Sequence, residues 1–149
     1  MNKILAKRWV YGLLIIFLLG CAGKETESER ARAVRLLSNN ANKNWILKEK
    51  FVGDATHVLS ICDSSYVLSI KADYTWEEVY LKLICYNKSS GTWSLNNENA
   101  VLSIAFISQY TGNESKRDFE INELTEQNFA YQYVEYNQIK RVILMALPE

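Results

Sequence analysis

The sequence predicts an all-β domain: about eight short antiparallel strands behind one short helix. Three observations predict it. From Trp45 onward apolar and polar residues alternate with period two, the mark of half-buried strands. Turn-forming clusters such as Asn96-Asn97-Glu98-Asn99 and Asn137-Gln138 interrupt that pattern at short intervals. The composition, 12% aromatic with Pro148 the single proline, suits a pleated surface rather than a disordered tail. A meander of this kind must close into a barrel or pack as two sheets to hide its edges.

The elements follow in order. Ala31, Val34 and Leu37 recur near helical spacing within residues 29–38, and Asn39, Asn40, Asn42 and Asn44 end that helix. It is expected to plug one end of the domain. Trp45, Leu47 and Phe51 open the first strand, and Tyr66, Leu68 and Ile70 share a face of the next. Thr75, Val79, Leu81 and Leu83 form one face of a third strand, with Tyr74, Trp76, Tyr80 and Ile84 opposite. Gly91 to Leu95 and the return strand with Leu102, Ile104 and Phe106 make a hairpin. A polar loop from Gln109 to Lys116 precedes Phe119-Glu120-Ile121, and a turn near Thr125-Glu126-Gln127 leads to Phe129–Tyr133. The last strand runs from Ile139 to Ala146.

The N-terminus reads as an address. Lys3, Lys7 and Arg8 precede an apolar run from Trp9 to Leu19. A run of about 11 residues is too short for a bilayer core, which takes about 20, and fits an export-signal core. Leu18-Leu19-Gly20-Cys21 then resembles a bacterial lipobox, with a small residue before the Cys that takes the lipid. An ordinary secretory signal with an incidental Cys, or an uncleaved anchor, is the alternative. The division expected is 1–20 signal peptide, 21–40 lipidated tether and short helix, and 41–149 barrel domain. The membrane partner is then the lipid on Cys21, since several acyl chains hold a bilayer firmly. Ala22, where an Asp often retains such proteins at the inner membrane, favours the outer membrane, facing either the periplasm or the cell surface. Lys24-Glu25 with Glu27 resembles a surface-export signal, or serves as a solvated tether.

Charge excludes one class of partner. The leader carries three of the 17 basic residues, leaving 14 against 17 acidic ones, with no basic stripe for nucleic acid. Of three cysteines, Cys21 goes to the anchor, so Cys62 and Cys85 read as one disulfide in an oxidising compartment. Two unpaired thiols are the alternative. Two Cys and one His at scattered spacing do not make a zinc site, and no cofactor motif is present.

Residues 41–146 resemble the lipocalin-like domain of many small lipoproteins of Gram-negative bacteria. The resemblance rests on Trp45 opening the first strand, Cys62-Asp63 before Tyr66–Ile70, and Ala72-Asp73-Tyr74. It continues through Cys85, Gly91-Thr92-Trp93-Ser94-Leu95, and Phe119–Leu124 followed by Asn128–Tyr131. It implies an up-and-down barrel of about eight strands and supports the Cys62–Cys85 pairing. Two features depart from true lipocalins: Lys43-Asn44-Trp45 replaces their Gly-x-Trp, and their Thr-Asp-Tyr motif is missing. Arg141 is expected to stack on Trp45, as a basic residue does at the closed end of lipocalin barrels.

The chemistry points away from catalysis. The single histidine, His57, lies near Asp54 and Asp63, but no nucleophile elbow accompanies it. An exposed His57 is the expectation. Glu77 and Glu78 are adjacent on a strand, so they point to opposite faces and cannot act as a carboxylate pair on one substrate. Both are expected in solvent. Tyr66, Trp76, Tyr80, Tyr131 and Tyr133 are the candidate ligand-binding residues, able to line a cavity for a small apolar molecule or glycan. Eight strands leave room either for packed side chains or for one small ligand. A solid barrel that acts through its outer surface, as a structural or interaction component of the envelope, is the competing expectation.

Overall fold

The computed structural model describes residues 27–148 except 97, 99 and 108–111. The leader, Cys21 and Lys24-Glu25 lie outside the described residues. Helix α1 (Glu29–Ser38) is followed by β1 (Asn42–Val52), β2 (Ala55–His57), β3 (Tyr66–Lys71) and β4 (Thr75–Tyr80). Then come β5 (Lys88–Leu95), β6 (Val101–Ile107), β7 (Glu114–Leu124), β8 (Asn128–Glu135) and β9 (Gln138–Ala146). Each strand from β3 to β9 pairs antiparallel with the next, β1 pairs with β3, and β9 returns to β1. Eight strands thus form a closed up-and-down barrel with one short helix, as the sequence predicts. The three-residue β2 adds to the far end of β1.

Closure leaves no long unpaired edge on the barrel itself. Two register shifts help the sheet to curl: one in β1 between Leu47 and Glu49 against β9, the other in β7 between Ile121 and Glu123 against β8. An extra residue at such a point bends its strand and sharpens the twist. The β8–β9 hairpin turns on Tyr136 and Asn137, both left-handed at φ 51° and 59°. Two such residues in succession match the twist of the flanking strands.

Helix α1 starts at Ser28, whose Oγ accepts a hydrogen bond from the Ala31 N–H at 3.1 Å. It ends at Asn39, in the left-handed conformation. Ala33, Leu36 and Leu37 are buried against one end of the barrel. The last turn of a helix leaves carbonyls without partners. Here Lys43 Nζ donates to Leu36 O at 2.9 Å and Trp45 Nε1 to Leu37 O at 3.0 Å. The helix plugs the barrel, as its apolar face predicts. Arg35 holds Glu27 and Glu126, fastening the helix to the β7–β8 turn.

Three sequence expectations are corrected. The strand expected to run on to Ile84 stops at Tyr80, and Leu83–Cys85 is a single 3-10 turn in an exposed loop. The polar loop expected to last until Lys116 gives way to β7 at Glu114. Arg141 does not reach Trp45: it lies over Phe51 at 4.4 Å, its register partner across β1 and β9. The cation over the Trp45 ring is Lys43, at 4.5 Å.

Cys62 and Cys85 are joined, with 5.3 Å between their Cα atoms. The bond clips the turn before β3 to the loop before β5. Closing a span of 23 residues removes freedom from the unfolded chain, worth about 3 kcal/mol. A variant with both Cys62→Ser and Cys85→Ser is expected to lose about that much stability. Urea midpoints compared with wild type check it, and equal midpoints would show that the clip does not restrain the unfolded chain.

Candidate functional site

The barrel is hollow. Its inward-facing residues enclose a cavity of about 300 Å³. Strand direction sorts the lining into two halves. Towards the closed end lie Ile70, Trp93, Leu102 and Phe129, all buried and apolar. Trp93 donates its indole N–H to Lys71 O at 2.9 Å, so its polar edge is satisfied outside the cavity. Towards the open end the lining changes. Tyr66, Tyr80 and Tyr133 stand there with Lys50, Asp63, Glu78 and Arg117, and Tyr131 lies just below.

All five candidate ligand-binding residues face this one cavity: Tyr66, Trp76, Tyr80, Tyr131 and Tyr133. Alternation puts them there. Tyr66 continues the Leu68 and Ile70 face of β3, and Tyr131 and Tyr133 continue the Phe129 face of β8. The rings pack on one another: Tyr66 and Tyr80 at 5.3 Å edge to face, Phe119 and Tyr131 at 4.7 Å. Trp76 is buried, and its indole donates to Ala105 O at 3.3 Å.

Sequence reasoning missed all four charged groups of the lining, Lys50, Asp63, Glu78 and Arg117, of which the last two lie on regular strands. Glu78, expected in solvent, lines the cavity because it shares the parity of Trp76 and Tyr80 on β4. Only Glu77 faces outward, paired with Lys88 at 2.8 Å. Arg117 shares the parity of Phe119 on β7, and its guanidinium lies 5.9 Å from the Phe106 and Tyr133 rings. That same two-residue spacing was the signal that could have found both.

The hydroxyls in the cavity stay protonated. Burial, then the neighbouring Tyr131 and Glu78, pushes the Tyr66 phenol well above its ordinary value. Burial, then Tyr133 and Glu78, does the same to Tyr131. Tyr80 and Tyr133 are raised by partial burial and nearby carboxylates. All four are neutral donors near neutral pH. At the rim, burial alone would raise the Asp63 carboxyl. Hydrogen bonds from Ser60 N at 2.9 Å and Oγ at 2.7 Å, with Lys50 nearby, hold it below the usual range instead.

The open end has a second character. Val58, Leu83, Ile84, Tyr86, Val134 and Tyr136 are each more than 60% exposed, and all sit on its loops and strand ends. Such a concentration of apolar side chains exceeds the single, scattered ones of an ordinary surface. His57, on β2, is exposed as expected. Among the described residues no three His, Cys, Asp or Glu side chains gather where a metal could bind.

A closed antiparallel barrel, plugged at one end and hollow at the other, defines a lipocalin-like architecture. The comparison with solved structures agrees. A lipocalin-like protein from Bacteroides uniformis superposes with a TM-score of 0.56 at 16% identity, covering 74% of this chain and 97% of its own. At that identity the likeness concerns the fold. No protein-family profile matches the chain, and no curated protein does either.

Proposed function

We propose that this chain is a cell-envelope lipoprotein whose barrel binds a small apolar molecule or glycan. Cys21 carries the lipid that holds it to the bacterial outer membrane. The observation that carries the binding reading is the aromatic-lined cavity of about 300 Å³, a size that suits a small ligand. The leader and the Leu18-Leu19-Gly20-Cys21 sequence support the anchor. The domain acts as a binder and not as a catalyst on this reading.

The test uses the Cys21→Ser domain exported behind a cleavable leader and purified from its native host's periplasm. Native mass spectrometry is expected to show a stoichiometric small-molecule adduct that denaturation releases. A clean apo mass would move the reading to the second one, an interaction component of the outer membrane or cell surface. The exposed apolar rim around the open end favours that alternative.

A further inference from the structure

We propose that the cavity selects a cationic ligand: a protonated amine on an apolar body, with the ammonium seated at Glu78. The inference rests on the small-molecule reading above and names the ligand class for the same site.

The first ground is Glu78 itself. A carboxylate offers about four acceptor positions. Among the described residues Glu78 receives one hydrogen bond, from the Tyr66 hydroxyl at 3.3 Å, and no cation pairs with it. Half-buried in the cavity lining, that carboxylate keeps acceptor positions open to a ligand. An ammonium brings three donors and the missing charge.

The surroundings are the second ground. Trp76, Tyr66, Tyr80 and Tyr131 line the same cavity as Glu78. The negative faces of such rings attract organic cations, and the wall beneath them takes an apolar body. The third ground is Tyr131. Its side chain is 93% buried and lines the cavity, yet no described residue bonds its hydroxyl. Buried hydroxyls normally have partners. Tyr131 is thus a polar group open to a ligand atom in the same cavity as the carboxylate.

Arg117 does not reverse the sign. Its guanidinium is exposed over the Phe106 and Tyr133 rings, where water screens its charge.

The probes are 4-phenylbutylamine, 4-phenylbutanol and 4-phenylbutyrate, titrated by NMR into residues 22–149 with the disulfide intact. They share one apolar body and differ in head-group charge. The amine is expected to bind at least about tenfold more tightly than the alcohol, the scale of one charge-assisted hydrogen bond with aromatic support. Glu78→Gln should erase that preference, leaving amine and alcohol with equal affinities. Glu77→Gln, on the outer face, should keep it. Equal affinities for amine and alcohol, or the tightest binding by the butyrate, would overturn the cation assignment and leave the binding reading standing. A preference that survives Glu78→Gln would overturn the role of Glu78. No binding by any of the three would overturn both readings.

Discussion

Replacing Trp45 by alanine is expected to cost the fold about 3–5 kcal/mol, a large share of the 5–15 kcal/mol typical of a domain. Trp45 is fully buried where three elements meet. On β1 it lies opposite Leu68 of β3 and Ala146 of β9. Its ring meets Phe129 edge to face at 5.6 Å, and Lys43 covers it. Its N–H holds the Leu37 carbonyl at the end of α1. Truncation therefore opens a cavity and also orphans a buried carbonyl on the plug. Trp45→Phe separates the two effects: it keeps most of the packing and loses the hydrogen bond, for about 1–3 kcal/mol. Urea unfolding followed by circular dichroism gives both values. A cost below about 1 kcal/mol for Trp45→Ala would mean that the helix is not fastened through this residue.

Gly91→Ala is expected to be nearly as damaging, at about 3 kcal/mol or more, although it adds only one methyl group. Gly91 of β5 lies between Trp76 of β4 and Phe106 of β6. A Cβ built there would stand 1.9 Å from Ala105 O and 2.9 Å from its carbonyl carbon. Both are backbone atoms, which cannot swing aside as a side-chain tip can. The same carbonyl receives the Trp76 indole N–H, so displacing it disturbs a cavity wall as well as the ladder. Ser94→Ala, exposed on the same strand, should change stability by no more than about 0.5 kcal/mol. A Gly91→Ala protein with a wild-type urea midpoint would show that β5 and β6 can separate without loss.

The parts of the fold that could be read from sequence are those where one face is apolar and the other is not. On β3, Leu68 and Ile70 fall two apart with Ser69 between them and Lys71 after, and on β8 the large rings of Phe129, Tyr131 and Tyr133 fall at every second position, with the smaller Ala130 and the polar Gln132 between them. The cavity aromatics were legible for that reason. The first half of β7 was not, because Ser115 and Arg117 face inward near the mouth and Lys116 and Asp118 face outward, so both faces are polar. The loop after β4 misled in the opposite direction. Leu81, Leu83 and Ile84 extend the strand pattern in sequence, but in space they are exposed at the rim. The partner of Trp45 depended on register. Pairing of Phe51 with Arg141 carries that arginine to the mouth, away from Trp45 at the closed end. Alternation tells inside from outside, but not how far up the barrel a residue sits.

The position of helix α1 also bears on which way the chain would face if Cys21 anchors it. The chain enters at the plugged end, where Glu27 and Arg35 lie against the β7–β8 turn. With Cys21 as the proposed anchor, five residues separate the lipid from Glu27, a leash of about 20 Å over its six Cα steps when taut. Strand β9 alone runs nine residues, about 30 Å along its tilted path. The leash is too short to turn the mouth down onto the bilayer that holds it. An anchor at Cys21 would therefore set the protein with its back to the membrane that holds it. On the proposed reading a ligand would then be exchanged with the aqueous side, and any surface that docks on the apolar rim would approach from there.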